Sequence, residues 1–237
     1  MGEIIRKSAS VEEIMADARH ALVGATTKGG VWKAAADQSL TPAVTLFDTV
    51  ETKRVALENT VVPLVAALNH QDEVADAAIG RMSDSVWNDV GRPAPGADPS
   101  YELLFPSGIS FYTDGPDDEQ PERMELLVDL LESGIHPRLP AAQAKAYATE
   151  IRNQAKALST AVEALRLPRI RLAMYGRMRT TAAKNTQAAL SRFKRLLKVG
   201  GLSETEIHTV IPDRPVQAKK SAALAALETA PEASKTV

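Results

Sequence analysis

The chain has 237 residues, no cysteine and a formal net charge of −2. That length suffices for a hydrophobic core without a metal or disulfide staple, and the missing cysteine excludes thiol catalysis, thiolate metal sites and disulfides. No run approaches the roughly eighteen uncharged apolar residues of a membrane span. Met1 to Ala18 mixes Glu3, Arg6, Lys7, Glu12 and Glu13 among its apolar residues, so no secretory signal is expected and the default location is cytoplasmic.

Ser10 followed by Glu13 forms a capping box ahead of the apolar series Val11, Ile14, Met15, Ala18 and Leu22, which predicts a first helix over 10–26. Lys28, Gly29 and Gly30 weaken it, and a short helical piece is expected over 31–37. Thr41 and Pro42 have the chemistry of an N-cap and first helical residue. Phe47, Val50, Leu57, Val61, Leu64 and Leu68 then recur at three- and four-residue steps, with Arg54 as the charged exception and Pro63 as an expected kink. A further helix over 71–90 carries Ala75, Ile79, Met82, Val86 and Val90. The pair 41–91 is expected to be a helical hairpin.

Residues 92–120 form a crossover rich in proline and glycine. Tyr101 to Phe105 and Ile109 to Tyr112 flank Pro106, Ser107 and Gly108, which is turn chemistry and predicts a small β-hairpin or an ordered extended clip. Asp117 and Asp118 stand where they would cap a helix over 119–133, with Gly134 as its stop. The strictest pattern follows: Ala144, Ala148, Ile151, Ala155, Leu158, Val162 and Leu165 form a heptad seam. Pro168 is expected to begin another helix with Ile170, Met174, Met178, Ala182, Ala189, Phe193 and Leu197 as its apolar side, closed by Gly200 and Gly201. Residues 140–199 are thus a second expected hairpin. Ser203 and Glu206 box a short last helix, and 213–237 is expected to be a flexible tail.

Alanine occurs thirty-eight times, whereas aromatic residues make only 4% of the chain. Helices so rich in alanine approach closely but bury little area per contact. The expected fold is therefore all-α: one elongated antiparallel bundle of four principal helices over 1–212, joined by the crossover.

Charge is distributed unevenly. Residues 72–132 hold fifteen acids against three arginines, and residues 164–203 hold ten Lys and Arg with no acid. Opposite fields on separate surfaces reward oriented association, within a molecule or between copies.

Candidate chemistry is sparse. Glu13, Asp17 and His20 fall at i, i+4 and i+7 on one helical face and form a partial ligand set for a metal. No phosphate loop, nucleophile elbow or dinucleotide fingerprint is present, so no enzymatic activity and no cofactor are expected. Arg177, Lys184 and Arg195 lie within about 20° of one another on a helical wheel. With Lys198 they make a cationic stripe able to track phosphates, which is the nucleic-acid alternative. Tyr101, Phe105, Phe111 and Tyr112 are candidate anchors for a protein contact, or else a lid over their own helices. The leading expectation is a non-enzymatic, self-associating structural or scaffold protein. Its interface would comprise those aromatics, Asp117, Asp118 and Glu119, and Arg177, Lys184 and Arg195; the partner is another copy.

Overall fold

The structure, a computed structural model, describes residues 9–91 and 99–211. Of the described residues 84% are helical, and none lies in a strand. It contains α1 (Val11–Lys28), α2 (Gly30–Ser85), α3 (Ser110–Thr113), α4 (Gln120–Glu132), α5 (Ala141–Val199) and α6 (Glu204–His208). Two compact units divide it: unit 1 combines the chain up to Thr52 with the chain from Arg177 onward, and unit 2 runs from Lys53 to Gly176.

The largest difference from expectation is that both hairpins are single helices. Residues 41–85 belong to α2 and residues 141–199 to α5, which are 56 and 59 residues long. Asn69 to Asp72 are polar but contain no helix breaker, and the buried positions Val61, Leu68, Ala75 and Met82 pass through them at an unbroken heptad step. Thr41 and Pro42 likewise lie inside α2 and do not begin a helix. Pro168 stands inside α5. An interior proline withholds one amide donor and costs about 3 kcal/mol, which is comparable to what burying one or two leucines contributes. Leu158 and Leu165, 0% and 1% exposed, lie just before it.

The phase of α5 also survives Pro168. From Leu165 the seam continues through half-buried Leu172 and Arg179 to buried Thr186 and Phe193 at steps of seven, with Ala183, Leu190 and Leu197 beside it. Ile170, Met174 and Met178, expected on the apolar side, are off that seam and are exposed, at 58%, 49% and 41%. Of the same series, Ala182, Phe193 and Leu197 are buried.

The core of unit 1 joins α1 (Ile14, Ala18, Ala21), α2 (Ala36, Leu40, Phe47) and α5 (Ala183, Leu190, Phe193) with Ile207 and Ile211. Both capping boxes form: Ser10 Oγ accepts from Glu13 N–H, and Ser203 Oγ from Glu206 N–H. α5 ends in a Schellman arrangement, with Leu202 N–H bonded to Leu197 O and Gly201 N–H to Lys198 O. Gly201 has φ +84°, a conformation that favours glycine, and a Cβ at Gly200 would meet Val31 Cγ1 at 2.8 Å, so Val31 would have to move.

The core of unit 2 joins α2 (Leu68, Ile79, Met82), α4 (Met124, Leu127, Val128) and α5 (Ala148, Ile151, Leu158) with Leu104, Phe105 and Tyr112. Arg81 pairs with Glu150, while Ser85 accepts from the Tyr147 hydroxyl, so the two long helices run in opposite directions here. The expected β-hairpin is absent. Pro99–Leu103 is a 3₁₀ turn and Ser110–Thr113 one turn of α-helix, and only an isolated bridge joins Pro106 and Gly108. Two strands so short, with no third, do not bury enough to persist, whereas helical turns bury Phe105 and Tyr112 against α2 and α4. α4 begins after Glu119, which makes no side-chain cap, so Asp117 and Asp118 do not cap it. Part of the crossover, 92–98, and the tail, 213–237, lie outside the described residues.

Candidate interaction surfaces

Five aromatic rings form a continuous chain in unit 2. Trp87 meets Tyr101 edge-on at 5.1 Å, Tyr101 stacks on Phe105 at 4.9 Å, and Tyr112 meets Phe105 at 5.8 Å and Phe111 at 5.0 Å. Phe105 and Tyr112 are each 1% exposed. The Tyr112 hydroxyl donates to Leu104 O at 2.7 Å, and burial pushes its pKa up to about 12. Tyr101 is half-buried and bonded to Ser83 Oγ at 2.6 Å. The expected anchors Phe105 and Tyr112 are thus core side chains, buried in the cluster that α2, α4 and α5 share. Phe111, exposed beneath the Arg123 guanidinium, stays at the surface.

The metal alternative does not assemble. Among the described residues no group of three or more His, Asp or Glu side chains is placed to hold a metal ion. Glu13 accepts the Ser10 amide at 2.9 Å in the capping box, and residues seven apart on a helix lie about 10 Å apart along its axis, too far to share one ion.

The ten cations of residues 164–203 divide into two sets. Arg179 sits on the α5 seam, donating to Glu51 and Glu12 at 2.8 Å each; its hydrogen bond holds the Glu12 carboxyl below the usual glutamate value. Lys194 and Lys198 both pair with Glu204, whose pKa is lowered by them. Arg166 pairs loosely with Glu163 at 3.4 Å. Lys198, a member of the expected phosphate-tracking stripe, is therefore engaged within unit 1. Arg177, Lys184 and Arg195 are exposed on α5 in unit 1.

Acids gather in unit 2. On α4, Glu122, Glu125 and Asp129 follow at steps of three and four, a spacing that places them on one face. Glu122, Glu125 and Asp129 are all exposed. Arg152 donates to Glu132 at 2.7 Å and is held above the usual arginine value, first by that bond and also by Glu125 and Asp129. Glu119 pairs with Arg123 at 2.6 Å. Asp117 and Asp118 are exposed and line a groove of about 570 Å³ together with Arg166 and Arg169. At that groove the acidic and basic segments do meet within one unit. Sequence reasoning missed the α4 stripe, although its 122, 125, 129 spacing was visible.

Among the described residues five carboxylates shift in pKa, in opposite directions in the two units. Burial, with repulsion from Asp117 and Glu73, holds Asp72 above the usual aspartate value, and burial does the same for Asp76 despite its bond from Gln120. A raised native pKa means the folded state binds more protons, so stability rises as pH falls from 7 through those raised values and is fully gained near 3.8. Glu12, Glu204 and Glu206 are lowered, so what they contribute is present above 4.5 and lost as pH falls below it. Asp72→Asn is expected to raise the melting temperature at pH 7 and to flatten the rise between pH 7 and 4.5. A lower melting temperature for this variant at pH 7 would contradict that assignment.

No protein-family model matches the chain, and neither a curated protein nor a solved structure matches it. No helix among the described residues is long and apolar enough to cross a membrane.

Proposed function

We propose that this protein is a non-enzymatic, self-associating structural or scaffold protein whose copies join head to tail, the α4 carboxylates of one copy meeting the α5 cations of the next. One observation carries this reading: Arg177, Lys184 and Arg195 are exposed in unit 1, Glu122, Glu125 and Asp129 lie along α4 in unit 2, and the first two cations share a spacing with the outer two acids. Arg177 and Lys184 are seven residues apart, as are Glu122 and Asp129, which is about 10 Å on either helix. Ion pairs of the basic segment among the described residues go to Glu12, Glu51, Glu163 and Glu204, all outside the acidic segment 72–132.

An exposed ion pair contributes about 0.2–1 kcal/mol, so two of them orient copies more than they hold them. A contact between different surfaces on identical copies closes into a ring or continues as a filament. Light scattering over a salt series is expected to show large assemblies at low salt that loosen as the screening length falls to about 3 Å near 1 M. A salt-indifferent monomer that retards DNA in a gel would instead favour the nucleic-acid alternative at Arg177, Lys184 and Arg195.

A further inference from the structure

We infer that the outward face of α5 between Asn153 and Leu167 joins two copies of this chain as an isologous, antiparallel helix pair, a second contact that borders the α4 carboxylates Glu122 and Glu125. Within unit 2, α4 and α2 leave this face open. A groove of about 890 Å³ runs between α4 and α5, bounded by Pro121, Glu122 and Glu125, and one of about 530 Å³ runs between α2 and α5, bounded by Leu64, Ala67 and Gln71. Both grooves share Lys156, Thr160 and Ala164. These three are spaced by four, so they form a ridge of the kind that enters a groove on a facing helix.

The exposed positions of this stretch are Asn153, Lys156, Ser159, Thr160, Glu163, Ala164, Arg166 and Leu167. Their three- and four-residue steps describe a second seam on the side of α5 opposite the core. Small side chains hold its centre, so a facing helix can approach to the short end of the usual range of about 8–10 Å.

Charge selects the occupant. Lys156 and Glu163 are seven residues apart on this face, one on each side of the centre at Ser159 and Thr160. Turning a second copy over about a two-fold axis there brings its Glu163 opposite Lys156 and its Lys156 opposite Glu163. The pattern is its own complement, as an isologous contact requires. Glu163 gives up only the 3.4 Å pair with Arg166, whose two side chains are 71% and 70% exposed. Leu167, 52% exposed, gains cover beside the partner copy. Such a contact would supply the persistence that weak head-to-tail ion pairs lack, since a second attachment acts at high effective concentration.

The chain has no cysteine, which allows a direct test in the full protein. Thr160→Cys places a thiol at the axis. Thr149→Cys places one on the same exposed face but eleven residues away, so that its two copies stand about 30 Å apart in this register. Both are made in a background carrying Arg177→Glu, Lys184→Glu and Arg195→Glu, so that failure of the head-to-tail contact does not affect the outcome. Under mild oxidation, Thr160→Cys is expected to form a covalent dimer on the order of tenfold faster than Thr149→Cys, because pairing raises the effective thiol concentration. Adding Lys156→Glu is expected to remove that advantage, and adding Glu163→Lys to restore it. Equal rates for the two cysteine variants, or an advantage unaffected by Lys156→Glu, would overturn the inference.

Discussion

Phe105→Ala is expected to destabilise unit 2 by about 3–5 kcal/mol, the range for removing a buried aromatic ring. Phe105 is 1% exposed, stacks on Tyr101, takes the edge of Tyr112, and lies in the core that α2, α4 and α5 share. Its loss leaves a void that Ala-rich helices fill poorly, since their short side chains reach little beyond the backbone. Phe111→Ala, at a ring 39% exposed, is expected to cost under about 1 kcal/mol. Denaturant unfolding of the two variants separates these roles. If Phe105→Ala were as mild as Phe111→Ala, the aromatic segment would not be part of the core.

Reversing either charged stripe is expected to abolish low-salt assembly while leaving the helices intact. In Arg177→Glu/Lys184→Glu/Arg195→Glu, the two matched contacts of about 0.2–1 kcal/mol each become repulsive. The combined change, about 1–4 kcal/mol, is on the scale of the 1.4 kcal/mol that corresponds to about tenfold in affinity. Glu122→Lys/Glu125→Lys/Asp129→Lys makes the same change from the other side. Glutamate and lysine are both good helix formers, and Arg152 keeps its bond to Glu132. Circular dichroism checks the fold, and sedimentation velocity reads the assembly. Full-sized assemblies from either variant at low salt would place the contact elsewhere.

Helical content was legible in the sequence because it is written in local signals. Both capping boxes, the Gly200–Gly201 stop and the seam Ala144 to Leu165 occur where the residues placed them, with all seam residues buried except the partly buried Val162. Connectivity was not legible, because proline and short polar runs carry ambiguous weight. Pro168 and Asn69–Asp72 weaken a helix locally, and whether it continues depends on burial on either side, which no window around them contains. The phase error at Ile170, Met174 and Met178 has the same origin: restarting the count at Pro168 discards the seam that Leu165 hands on to Leu172 and Arg179. The hairpin expected at Tyr101 to Tyr112 was a correct reading of turn residues, overridden by aromatic burial. Of the interaction residues, the α5 cations are exposed where the wheel put them. The α4 acids were not legible as a surface because which face of α4 stays exposed depends on what it packs against.

The most direct test of the central claim mixes the two charge-reversed variants. One carries basic residues at both stripes and the other acidic residues at both, so neither has a complementary pair of surfaces, yet each complements the other. At low salt each alone is expected to scatter as a small species, and a 1:1 mixture is expected to assemble to sizes comparable with the unsubstituted protein. A mixture that scatters no more than the sum of its parts would contradict self-association through these two surfaces.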